Sequence, residues 1–350
     1  MIKIDLRSDT VTMPSREMLD HMMSARAGDM VLDEDPSVNM LEERIAAIFG
    51  FEAAAYCPSG TMTNQIAIKV HTRPGDEVIC SSKAHVYLYE GGGIASNSGV
   101  QVSMVDSSDG VFTAEDVLAR INPDDPHKAR TSLVTIENTA NRGGGTVWSR
   151  QTIEDIGRIC RLKGLKYHLD GARIFNALAV SGDPASYVGT VFDSCSVCLS
   201  KGLGAPVGSV LSGSREFIKQ AKRARKSMGG TMRQAGYLAA AGLFALEHNI
   251  PRLVEDHANA LKIRTVLSSC DWVDKCLPGE TNIVIASMSG EIRSETVIKK
   301  LAEQGILASI VDASTIRFVT HLDVSDEMTQ QACSIIKSLK ISSDQDENNR

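Results

Sequence analysis

The chain has 350 residues, with 37 Lys+Arg against 43 Asp+Glu, a formal net charge of −6 and 43% hydrophobic residues. That length can bury a full core and suits one large domain with a smaller appendage. The mild acidity and the lack of a dominant basic patch argue against a nucleic-acid partner; the one cationic run, 219–226, alternates with alanine on an expected helix and reads as a solvated or interface face. No apolar run approaches the ~20 residues of a membrane span, and the start is polar by its third residue, so neither a span nor a signal peptide is expected. The eight cysteines are scattered among apolar residues, as in a reduced, cytoplasmic protein. Cys195 and Cys198 point to opposite faces of an expected strand, so they hold no metal between them, and none is expected elsewhere.

Residues 1–14 form a short arm with too many charges for a central strand. Pro14 and Ser15 open a helix through about Arg26. After an acidic loop at 28–36, Ser37 is expected to cap a second helix whose apolar stripe is Leu41, Ile45 and Ile48, with Gly50 stopping it. From residue 53 the pattern alternates. Apolar strands are expected at 53–57, 77–80, 100–105, 133–136, 165–169, 195–199 and 208–212, with helices between most of them. This predicts an α/β fold, a mainly parallel seven-stranded sheet covered on both faces. Residues 214–267 read as helical, with Pro251 at a domain junction. Strands at 282–286, 306–308 and 315–320 and helices at 294–304 and 325–339 then make a small α+β domain. The division is therefore a large domain at 15–250, a small one at 251–340 and a polar, disordered tail at 341–350.

The stretch around 166–208 holds a strand–helix–strand unit, strands 165–169 and 195–199 with a crossover between them, in which Asp170 and Lys201 both fall at carboxyl strand ends, where such units place their ligands. An acid and a lysine together there suit pyridoxal phosphate (PLP), which needs a lysine for its aldehyde and an acid opposite its pyridine nitrogen. The alternative for each alone is a helix-capping Asp and a surface Lys. Ser59, Gly60 and Thr61 leave a strand for a helix start, a seat for phosphate or an ordinary cap, and Ser200 could add a hydroxyl. His85, past the second strand, could stack on the ring or be a loop histidine. Arg173 and Arg317 could bind a substrate carboxylate, or Arg317 could be a structural ion pair. The glycine runs lack the dinucleotide fingerprint, which disfavours a nicotinamide dehydrogenase.

DLRSDTVT, the PSGT turn, Ala84-His85, LDGARIFNA, SKGLGAPVGS, GGTMRQAG and VTHLDVS together resemble the low-specificity L-threonine aldolases, fold-type I PLP enzymes of the aspartate aminotransferase superfamily. The resemblance runs in order over nearly the whole chain. It implies that Lys201 carries PLP, Asp170 meets its pyridine nitrogen and His85 stacks on the ring. Ser59, Gly60, Thr61 and Ser200 would lie on the phosphate side, with Arg233 near the cofactor or a neighbouring subunit. Ser8, Arg173 and Arg317 would hold the amino acid's carboxylate, and His127 would approach its hydroxyl. Also implied are cleavage of L-threonine, L-allo-threonine and related β-hydroxy amino acids to glycine and an aldehyde, and a homotetramer. Leu32-Asp33 and Ala140 depart from the common pattern, and both are expected near the substrate side chain. The rivals are a PLP-dependent β-eliminating lyase, an aminotransferase, or a binding protein that keeps the site as a scaffold.

Overall fold

The seven apolar runs become one sheet in the computed structural model, which describes residues 3–341. Its strands are β1 (Ala53–Cys57), β2 (Asp76–Ser81), β3 (Gln101–Val105), β4 (Arg130–Glu137), β5 (Lys166–Gly171), β6 (Ser194–Cys198) and β7 (Ser209–Gly213). Across the sheet they run β1-β7-β6-β5-β4-β2-β3. Only β7 is antiparallel to its neighbours, so the carboxyl ends of β1 to β6 share one edge. Parallel strands covered on both faces bury nearly every side chain, and β2 and β6 are buried throughout.

Helices Pro36–Phe49, Arg150–Lys163, Ile174–Ser181 and Gly236–His248 supply residues to the main apolar core on one face. Gly60–His71 and Arg215–Ser227 pack a second cluster against the other face. A four-stranded antiparallel sheet follows in the chain, from β8 (Val273–Cys276), β9 (Ile283–Met288), β10 (Ser309–Asp312) and β11 (Thr315–Val319), in the order β10-β11-β9-β8. It has its own core, to which Ala260, Ile263 and Leu267 of helix Leu253–Leu267 belong, whereas Leu253 joins the main core. That helix ties the two sheets together.

Three local expectations change. The helix after the acidic loop is capped by Asp35, whose Oδ1 accepts from Ser37 and Val38 N–H, with Pro36 in the first turn; Ser37 lies inside it. The first helix is Arg16–Met23 and stops short of Arg26. Strands β8 and β10 were not expected, because VDKC and SIVD lie on half-exposed edges of the sheet and carry no long apolar run. The arm enters the fold through Ile4–Asp5, which pairs in parallel with Ile306–Leu307. Ile4 and Leu6 are buried in the second core. The tail expected to be disordered lies, beyond residue 341, outside the described residues. Among those described, no helix is long and apolar enough to cross a membrane.

Candidate active site

The shared carboxyl edge gathers side chains that are far apart in the chain. Asp170 stands one residue from the end of β5 and Glu137 ends β4, paired in register. Lys201 follows β6, His85 follows β2, and Ser59 follows β1. The arm brings in Ser8 and Thr10, and β11 contributes Arg317. A cavity of about 350 Å³ opens among Ser8, Thr10, His85, Tyr89, Asn141, Arg142, Arg173, Lys201, Arg317 and residues Ser309 to Val311.

The wall of this cavity is strongly cationic. Arg173 is buried and donates from Nε and Nη2 to the two oxygens of Asp9 at 2.7 and 2.6 Å. Burial acts to raise the Asp9 carboxyl. The charge and hydrogen bonds of Arg173, with Lys201 and Asn282 behind them, outweigh it and hold Asp9 well below the usual carboxylate range. Arg317 donates to Asn141 Oδ1 at 2.8 Å and to the Arg7 carbonyl, but its buried Nε has no partner among the described residues. Burial, with the charges of Arg173 and Arg142, lowers its pKa to about 10 although Asp9 pulls the other way. A half-buried guanidinium with a spare donor, among like charges, has the chemistry to take a carboxylate.

Three buried acids lie behind this wall. Asp170 accepts from the Ala172 N–H and from Asn64 Nδ2. Glu90 accepts from Asn64, Gln65 and His85 Nδ1. Glu137 accepts the backbone N–H groups of His85 and Asn141. Burial and the charge of Asp170 push Glu137 up to about 7, against the pull of its bonds and of the His85 charge. Burial would lower His85, but the Glu90 hydrogen bond and the charges of Asp170, Glu90 and Glu137 raise it above its ordinary value. Ligand atoms of His85, Glu90 and Asp170 come within 4.8 Å of one another. Their donors, Asn64, Gln65 and backbone N–H groups, account for that grouping without a cation.

The residues present fit pyridoxal phosphate. A lysine and a histidine face one cavity, with a buried acid beside the histidine. Helix Gly60–His71 opens at the same edge, and a Cβ on Gly60 would stand 2.5 Å from Cys198 Sγ. Glycine there lets the helix start pack against Cys198, and the N–H groups of Gly60 and Thr61 at that start suit a phosphate. Ser59 spends its hydroxyl on the Met62 N–H as the helix cap. Thr61 is exposed and Ser200 half-buried at the same edge, outside the cavity lining.

Not every expected residue arrives. His127 is exposed and bound to Asp125 in the loop that enters β4. That is the amino edge, and β4 with its eight residues separates it from the site by ~26 Å at 3.3 Å per residue. The chain's own His127 therefore cannot reach a substrate in the cavity. Arg233 is exposed and paired with Asp29, away from the lining. The two departures also fall outside it: Leu32 is exposed, Asp33 pairs with Lys222, and Ala140 is buried. Conversely, Asp9, Asn64, Glu90 and Glu137 were not singled out from sequence. Asp9 stood in the DLRSDTVT motif, beside the Ser8 that was chosen.

A mainly parallel sheet with Lys201, Asp170, His85 and the start of helix Gly60–His71 at one edge defines a PLP-dependent lyase of fold type I. Residues 5–290 match the model of the beta-eliminating lyase family, and the chain belongs to it. A low specificity L-threonine aldolase from Escherichia coli O157:H7 is 44% identical over 326 residues, 93% of this chain and 95% of that one. The low-specificity L-threonine aldolase 1 of Arabidopsis thaliana is 41% identical over 334 residues, 93% of each chain. In three dimensions the chain is similar to a threonine aldolase of Leishmania major, with a TM-score of 0.83 at 20% identity over 95% of this chain and 98% of that one. A serine palmitoyltransferase of Sphingomonas wittichii shares the fold at a TM-score of 0.75 and 15% identity, over 96% and 86%.

Proposed function

We propose that the protein cleaves L-threonine, L-allo-threonine and related β-hydroxy-α-amino acids to glycine and an aldehyde. The observation that carries this reading is the cavity itself, in which the partly unpartnered guanidinium of Arg317 faces the same space as Lys201 and His85. When bound, PLP supplies an electron-accepting ring that takes up the electron pair released as the Cα–Cβ bond breaks.

The chain's residues do the rest. Lys201 would hold the cofactor through its aldehyde, and Asp170 would face the pyridine nitrogen. Arg317 takes the substrate carboxylate, supported by Ser8 and by Arg173, which Asp9 holds in place. Fixing that carboxylate orients the Cα–Cβ bond, and orientation of this kind can contribute several kcal/mol. His85 stacks on the ring and, since His127 is out of reach in its own chain, is this chain's candidate to take the β-hydroxyl proton at Nε2. Its Nδ1 is already bound to Glu90. Proton removal by a placed base is worth roughly 10²–10⁴ in rate. Gly60, Thr61, Ser59 and Ser200 line the phosphate end.

The same reading extends to assembly and location. Tyr87, Leu88 and Tyr89 stand exposed beside the cavity, and Met13, Leu19, Met23 and Tyr237 are exposed as well; such apolar surface supports a homotetramer. All eight cysteines are free, which supports a cytoplasmic location. The two apolar cores support the division into an arm, a large domain at 15–250 and a small one at 251–340.

The test is direct. The protein is expected to carry a visible PLP absorbance and to release acetaldehyde and glycine from threonine, and Lys201→Ala should lose both. Formation of 2-oxobutyrate or amino-group transfer as the main reaction would favour the eliminating-lyase or aminotransferase alternatives.

A further inference from the structure

Helix Gly60–His71 turns a polar stripe toward the sheet. Asn64 and His71, seven positions apart, lie on one face of it, and His168 and Asp170, two apart, lie on one face of β5. Between them stands Ser194, opposite His168 in the register of β5 and β6. The five side chains make a continuous series of contacts. His71 Nε2 is 2.8 Å from Ser194 Oγ, which is 2.8 Å from His168 Nδ1. His168 Nε2 is 3.2 Å from Asn64 Oδ1. Asn64 Nδ2 then donates to Asp170 Oδ2 at 2.8 Å and to Glu90 Oε1 at 2.9 Å. Asn64, His168, Ser194 and Asp170 are all buried, and His71 is anchored by stacking on Phe217, 4.4 Å between ring centres.

The chemistry allows one direction of donation. Burial drives both histidines down to about 3, so both rings are neutral near pH 7. Asn64 Oδ1 can only accept, so His168 carries its proton on Nε2 and accepts at Nδ1. Ser194 must then donate to His168 and accept from His71 Nε2. Each donor is committed, and the Asn64 amide cannot turn over without setting its oxygen against two acids and losing His168.

We propose that His168 and Asn64 are positioning residues that fix one amide between two acids, so that the acid facing the cofactor nitrogen and the acid orienting His85 are aligned together. This rests on the PLP reading of the site and adds to it. His168 touches neither cofactor nor substrate and acts only through Asn64.

The test compares His168→Phe, which removes the donor to Asn64, with His168→Gln, which keeps an amide N–H. Both are made as holoenzymes, and release of PLP after dilution is followed by its visible band alongside kcat and KM for threonine. Losing a hydrogen bond to a group that serves buried acids should speed cofactor release and lower kcat by roughly tenfold in H168F, with KM nearly unchanged. H168Q should recover most of both. Ser194→Ala, a milder change than H168F, should shift release in the same direction by roughly threefold, since it removes the donor to His168 and the acceptor of His71 but leaves the His168–Asn64 bond in place. Equal release from H168F, S194A and the parent would overturn the proposal, as would equal impairment in H168F and H168Q that tracks melting temperature. A parent protein that binds no PLP would instead overturn the cofactor reading, and the two failures are told apart by that control.

Discussion

Arg173 and Arg317 share a wall of the cavity but not a state. Arg173 has two of its nitrogens committed to Asp9 in a fully buried pair, whereas Arg317 keeps Nε without a partner among the described residues. Arg317→Leu should therefore act on substrate binding. Removing a charge-assisted contact worth about 1.5–3 kcal/mol should raise the KM for threonine by roughly 10- to 100-fold, with the PLP band retained. An unchanged KM would remove Arg317 from the carboxylate site. Asp9→Asn should behave differently, since it leaves a buried guanidinium uncompensated. A loss of about 3–5 kcal/mol is expected in urea unfolding, with a raised KM because Arg173 loses its anchor. Because Asp9 is held below its unfolded value, its contribution is present above about pH 4 and fades as pH falls further, so the D9N deficit should shrink in acid. Both arginines were legible in the sequence as charges among apolar neighbours or beside a strand end. The Asp9 pairing was not, since its partner is 164 positions away and no periodicity records which acid a buried arginine meets.

At the scale of elements, the seven strands of the large sheet were legible because strands buried on both faces leave continuous apolar runs. The edge on which a residue lands was legible too, but only once topology is followed. His127 precedes a strand and His85 follows one, and in a parallel sheet that alone puts them at opposite edges. What the pattern could not show is how polar side chains divide their bonds. Ser37 and Asp35 are both good caps, yet Asp35 also accepts the Gly28 and Gly236 N–H groups. It thereby ties the acidic loop and helix Gly236–His248 to helix Pro36–Phe49. Asp35→Ala should cost about 3 kcal/mol or more, beyond the ~1 typical of a lost cap, because several buried N–H groups lose their acceptor. Ser37→Ala should cost far less, on the order of 1 kcal/mol for the one bond its hydroxyl gives to Arg26. Equal losses in urea unfolding of the two variants would restore Ser37 as the cap.

Across the whole molecule, buried titratable groups set opposing demands on pH. Burial lowers His71 and His168 to about 3 and His257 to about 4. A histidine depressed in this way binds its proton more readily unfolded, so its contribution is complete above about pH 6.5 and is lost as pH falls. Burial raises Asp256 to about 6, and burial with Asp170 raises Glu137 to about 7. These acids bind their protons more readily folded, so stability drains as pH rises from about 4 through those values. His85, also raised, adds to that decline. Below pH 6.5 the histidines and the low-lying Asp9 outweigh two raised acids; above it only the decline due to Glu137 and His85 remains. The melting temperature of the cofactor-free protein should therefore climb from pH 4, crest at about pH 6–7 and then slope down. His257→Gln, which keeps an acceptor for Asn176, should flatten the acid limb. Glu137→Gln, whose amide NH2 cannot accept and so loses one of the two backbone N–H bonds, should lie lower throughout but lose much of the downward slope above the crest. A melting temperature that keeps rising through pH 8, with the same slope in E137Q, would mean that Glu137 is ionised throughout and that the acid pair it forms with Asp170 is not the constraint described here.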